Sequence, residues 1–144
     1  MHTPNPPLLY DAVLQDLSDC LSALQNKTVL ITGASGFLGR HLVELLLFLN
    51  EHLEQPCQII GMDNFIVDTS HQPPIHNPRY QFMPHNVIAP LPHLPRVDFI
   101  LHLAGIASPY YYRAHPLETL DVATIGTRHM LELAKQHHAK LLFF

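Results

Sequence analysis

Val29-Leu30-Ile31-Thr32-Gly33-Ala34-Ser35-Gly36-Phe37-Leu38-Gly39 is the stretch whose reading decides the fold. The apolar run at 29–31 suits a buried strand, the three glycines suit a tight turn, and residues 40–50 have the look of a helix. In that order, glycines at this spacing bind a dinucleotide more readily than they mark an ordinary turn. Each has its own task. Gly33 permits the turn off the strand, Gly36 lets the backbone approach a pyrophosphate, and Gly39 lets the new helix pack closely on the sheet. The start of that helix offers unpaired N–H groups and a partial positive charge to the phosphates.

The second signal is Asp63. Pro56 breaks the chain after the first helix, and Cys57-Gln58-Ile59-Ile60-Gly61-Met62 reads as a short buried strand ending in Asp63-Asn64. An acid at the tip of a second strand, about 20 residues past the glycines, stands where the adenosine ribose would lie. A carboxylate accepting from both ribose hydroxyls favours NAD and repels the 2′-phosphate of NADP. An aspartate before Asn64 also suits a plain solvated turn. Arg40, beside the phosphates, could greet a 2′-phosphate, but Asp63 outweighs it because it stands at the discriminating hydroxyl.

Bulk properties narrow the class. A chain of 144 residues, 47% apolar, with a net charge of −4, suits one compact domain. Without a basic block there is no electrostatic case for nucleic acid or an anionic membrane. Cys20 and Cys57 lack CxxC spacing, which points to a reducing, cytoplasmic compartment. Residues 1–7 lack the basic region and apolar core of a signal peptide, and the most apolar run, 42–49, carries Glu44 and is too short for a bilayer. The twelve histidines are scattered, without an HExxH pattern, so no metal site is expected.

Residues 1–26 are expected to form a loose proline-rich tail (1–7) and an amphipathic helix (8–25), with Leu9, Val13, Leu17, Leu21 and Leu24 on its stripe. Residues 27–144 then alternate. Strands are predicted at 27–32, 57–62, 79–83, 97–104 and 140–144, and helices at 37–50 and from Pro116 to about residue 137. Leu117, Leu120, Ile125, Met130, Leu131 and Ala134 are the candidate inward positions of the second helix. Prolines between 69 and 95 exclude long helices there. The pattern implies an α/β, doubly wound, Rossmann-like parallel sheet, cut after about its fifth strand. Ligands of such sheets bind beyond the carboxyl ends of the strands, here the tips at 32–39, 63–65, 85–87 and 103–108.

Taken together, TGASGFLG (32–39), GMDNF (61–65), HLAGIASP (102–109) and TIGT (124–127) resemble the extended short-chain dehydrogenase/reductases. These are the NAD-dependent epimerases and dehydratases of nucleotide sugars, and the nearest likeness is to their UDP-glucuronate decarboxylase branch. The resemblance covers 27–144. It implies that Gly33, Gly36, Phe37, Leu38 and Gly39 hold the pyrophosphate of NAD. Asp63 and Asn64 would hold the adenosine ribose, Asn86 and Val87 would lie beside the adenine, and Leu103, Ala104 and Gly105 would pass the nicotinamide half. It further implies a UDP-sugar substrate and a homodimeric full-length enzyme.

Departures from the branch are as telling. Asn86 replaces an aspartate, which keeps an acceptor oxygen and loses the charge; Gly105 and Ile106 replace Ser-Pro. Asp121-Val122-Ala123 stands in place of Lys-Thr-Asn, and an aspartate there would repel a sugar nucleotide's diphosphate. The family's base is a tyrosine whose pKa is lowered by a lysine four residues on. Tyr10, Tyr80, Tyr110, Tyr111 and Tyr112 are followed at that spacing by Leu14, Pro84, Ala114, His115 and Pro116. No catalytic residue is therefore assigned. The chain is expected to be the cofactor-binding part of a longer enzyme, inactive by itself. The rival is a non-catalytic NAD sensor or scaffold, or a truncated pseudo-enzyme. The Tyr110-Tyr111-Tyr112-Arg113 run suits either a cover over the nicotinamide or sugar, or a surface patch.

Overall fold

The computed structural model of the chain describes residues 6–66 and 75–144. Its strands are β1 (Thr28–Thr32), β2 (Gln58–Asp63), β3 (Tyr80–Pro84), β4 (Phe99–His102) and β5 (Lys140–Phe143). They form one parallel sheet in the order β3–β2–β1–β4–β5. The order reverses between β1 and β4, the place where a sheet of this kind opens a crevice for its ligand.

Helices cover both faces, which is why the strands read as continuous apolar runs rather than as alternations. Val29 and Ile31 face α2 (Phe37–Asn50), packing on Val43, Leu46 and Leu49. Leu30, Ile60 and Ile100 face the other way, in one cluster with Met130, Leu133 and Ala134 of α5 (Thr127–His137). Leu30, Ile31, Val43, Ile100 and Met130 are wholly enclosed; each such side chain contributes about 1.5–3 kcal/mol. Asn50 ends α2 by pairing both ways with Cys57. Its Nδ2 donates to the Cys57 carbonyl (3.0 Å), and its Oδ1 accepts the Cys57 N–H (2.9 Å). That clamp fixes where β2 begins.

Elements around the first crossover lie where the sequence puts them, and the ends differ. α1 (Pro6–Asp16) begins inside the expected tail and stops early; turns and a 3-10 turn (Leu21–Leu24) follow it. Leu14, Leu17, Leu21 and Leu24 still pack on the α2 side of the core. The rest of the tail, residues 1–5, and the prolines at 73 and 74 lie outside the described residues. β3 ends on Pro84, which has no N–H to donate and is tolerated because β3 is an edge strand. β4 stops at His102 because residues 103–106 leave the sheet as a loop.

The long second helix is the main correction. It is α4 (Pro116–Asp121), a π-helical turn (Val122–Gly126) and then α5, preceded by a short α3 (Pro109–Ala114) that the sequence pattern does not reveal. Of six candidate inward positions, Met130 and Ala134 are buried, while Leu117, Leu120, Ile125 and Leu131 are 42–71% exposed. The π turn shifts the phase between α4 and α5, so residues before and after it no longer share one face; Leu131 lies beyond it and is exposed on the outer side of α5, next to the buried Met130. Among the described residues, no helix is long and apolar enough to cross a membrane.

Candidate functional site

A cavity of about 330 Å³ opens at the carboxyl ends of the strands. Gly33, Gly36 and Phe37 form one wall; Asp63 and Asn64 form the next. Asn86 and Val87 close the side beyond β3, and Leu103, Ala104 and Gly105 the side beyond β4. Two expected residues are not in the lining. Leu38 is 54% exposed on α2, and Gly39 is buried beneath the turn.

The glycines divide by what demands them. Gly33 has φ +70°, and a Cβ there would stand 2.7 Å from the Leu103 carbonyl oxygen, so both conformation and space require glycine. A Cβ on Gly39 would run into the Gly33 carbonyl. Gly36 is different: a Cβ there meets only the Gly33 oxygen, at 3.2 Å. The protein's own packing demands that glycine less than the other two, since a shift of a few tenths of an ångström would admit a Cβ, whereas a group resting on the start of α2 would exclude one.

Asp63 ties the walls together. Its Oδ2 accepts the Ser35 N–H (3.0 Å) and its Oδ1 the Phe65 N–H (2.9 Å). A carboxylate offers about four acceptor positions, so both oxygens keep one for a vicinal pair of hydroxyls. Arg40 is ion-paired with Glu44 one helical turn on (2.9 Å).

Among the described residues, two buried polar atoms on this cavity have no partner, Ser35 Oγ and His85 Nε2. An enclosed polar atom left unpaired costs about 1–3 kcal/mol. An adenosine diphosphate moiety brings the hydroxyls, phosphate oxygens and ring nitrogens that such atoms need, so the residues present fit NAD. Asn86 Oδ1 accepts the Ile88 N–H (3.2 Å) and keeps a second lone pair, so the acceptor expected there remains beside the amide donor.

The lining also takes in residues to which the sequence reading gives no binding role. Ser35 sits among the glycines, Ile106 and Val122 look like ordinary apolar residues, and His85 is named only as part of a strand tip. Val122 belongs to the altered Asp121-Val122-Ala123 segment, so that departure reaches the cavity wall. Tyr110, Tyr111 and Tyr112 lie on α3 and are absent from the lining. Among the described residues, no group of three or more His, Cys, Asp or Glu is placed to hold a metal. A second hollow, about 440 Å³, lies between the 90–94 loop and α5 and shares no residue with the glycine turn.

A parallel sheet of this order, with a glycine turn after β1 and an acid ending β2, defines a dinucleotide-binding α/β protein of Rossmann type. The chain belongs to the NAD dependent epimerase/dehydratase family, whose profile matches residues 29–144. UDP-glucuronic acid decarboxylase 5 of Arabidopsis thaliana is 37% identical over 142 residues, 97% of this chain and 38% of that protein. UDP-glucuronic acid decarboxylase 1 of Danio rerio is 38% identical over 124 residues, 85% of this chain and 28% of that protein. Among solved structures, the Bordetella bronchiseptica enzyme WbmF in complex with NADH superposes with a TM-score of 0.68 at 26% identity, over 85% of this chain and 36% of that one. The chain thus spans well under half the length of the relatives it matches.

Proposed function

We propose that these residues are the NAD-binding part of a nucleotide-sugar-modifying enzyme of the UDP-glucuronate decarboxylase type. The family match and the decarboxylase relatives support the class. The observation that carries the binding role is Asp63: it holds the glycine turn through Ser35 and still has an acceptor on each oxygen. Gly33 and Gly36 would take the pyrophosphate with Phe37, while Asn64, Asn86 and Val87 would surround the adenosine. The 103–105 loop would carry the nicotinamide half. When bound, NAD supplies a hydride acceptor for the sugar. The protein's own contribution in these residues is to grip, orient and shield that group. None of the five tyrosines has a lysine four residues on, so no proton-transfer role is assigned here. We place the enzyme in the cytoplasm, in keeping with its two free thiols, and as a homodimer acting on a UDP-sugar.

The test is Asp63→Ala, titrated calorimetrically with NAD and NADP. Losing a charge-assisted pair of hydrogen bonds should weaken NAD by about 1.5–3 kcal/mol and NADP far less. Equal losses would remove Asp63 from the ribose.

A further inference from the structure

Beneath the cavity lies a polar group that the binding reading leaves unused. His102 ends β4, is 0% exposed, and has both ring nitrogens engaged. Its Nδ1 lies 2.6 Å from Thr32 Oγ1, and its Nε2 lies 3.2 Å from Thr127 Oγ1. Thr32, which ends β1 and is also 0% exposed, accepts the Ala104 N–H on the same Oγ1 (3.1 Å). One proton arrangement leaves no enclosed donor without an acceptor: the Thr32 hydroxyl donates to Nδ1, and Nε2–H donates to Thr127 Oγ1. The opposite tautomer strands the Thr32 hydroxyl proton. Burial pushes the His102 pKa down to about 4, so the ring is neutral at physiological pH and the arrangement persists.

The three residues join three separate parts of the site. Thr32 precedes Gly33 of the glycine turn, His102 precedes the 103–105 loop, and Thr127 opens α5 directly after the π turn. A residue serving only to fill this space would be cheaper as an apolar side chain, because enclosing an imidazole costs free energy unless its nitrogens are bonded. We propose that Thr32, His102 and Thr127 form a positioning device for the cofactor: the ring aims Thr32 Oγ1 at the Ala104 N–H and so sets the loop against the nicotinamide half of NAD. This inference rests on the NAD-binding reading.

Thr32→Val in the full chain keeps the shape and removes the hydroxyl. ADP should bind within about twofold of the unaltered protein, while NAD weakens about fivefold or more. Without any ligand, the Ala104 amide hydrogen should exchange about tenfold faster, reporting a freed loop. Thr32→Ser should restore both. Equal weakening of ADP and NAD, or unchanged Ala104 exchange, overturns the proposal. Should Thr32→Val fail to fold, Thr127→Val, at the half-buried end, carries the same comparison; the same selectivity at smaller size supports the device, and its absence overturns it. An unaltered protein that binds neither nucleotide sinks the cavity reading and this proposal together. One that binds both, with variants losing both alike, sinks the device alone.

Discussion

The β1–α2–β2 unit and the α3–α5 segment are both rich in apolar residues, yet only the first uses them as its sequence pattern implies. In β1 and α2 the apolar stripe and the core coincide: Val29, Ile31, Val43, Leu46 and Leu49 are all enclosed. In the second segment, Leu117, Leu120, Ile125 and Leu131 remain exposed while Met130, Leu133 and Ala134 are covered. A helix face is legible when a single sheet consumes it, and the cofactor cradle is of that kind. The later helices carry more apolar surface than this sheet can bury.

The sharpest way to break the contrast is to overfill the first unit. Gly39→Val should destabilise the chain by about 3 kcal/mol or more, since the side chain has to displace the Gly33 carbonyl; urea unfolding measures it, and a loss below about 1 kcal/mol would mean the turn yields easily. Next comes His102, where the two regions meet. Its pKa is lower folded (about 4) than unfolded (about 6.5), so the unfolded chain binds the extra proton. Its contribution is fully present above about pH 6.5 and is lost as pH falls toward 4. Between pH 7 and pH 5 the protein should lose about 2 kcal/mol that a His102→Gln variant does not lose. The smallest effect belongs to the exposed face. Leu131→Glu should change stability by no more than about 0.5 kcal/mol, and a larger loss would mean that face is covered.

What the sequence shows and hides follows the range of the interaction. α2 is found to the residue because its glycine turn, its stripe and the Pro56 break are all local signals. β3 and β5 are found within a residue or so because short apolar runs between turns leave few alternatives. The π turn is missed because no local pattern marks a repeat widened by one residue. Ser35 and His85 are passed over because their unpaired atoms exist only once three strand tips converge. His102, inside an apolar strand, looks like filler until Thr32 and Thr127 arrive from elsewhere in the chain.

Gly36 offers the most direct measurement, because the protein's packing demands it least of the three turn glycines while a pyrophosphate site would require it. Gly36→Val should cost about 1 kcal/mol or less in unfolding. In calorimetric titration of the same sample, NAD and ADP binding should both fall at least about tenfold, a difference of about 1.4 kcal/mol. A folded Gly36→Val protein that binds NAD as tightly as the unaltered chain would contradict a phosphate site at the start of α2.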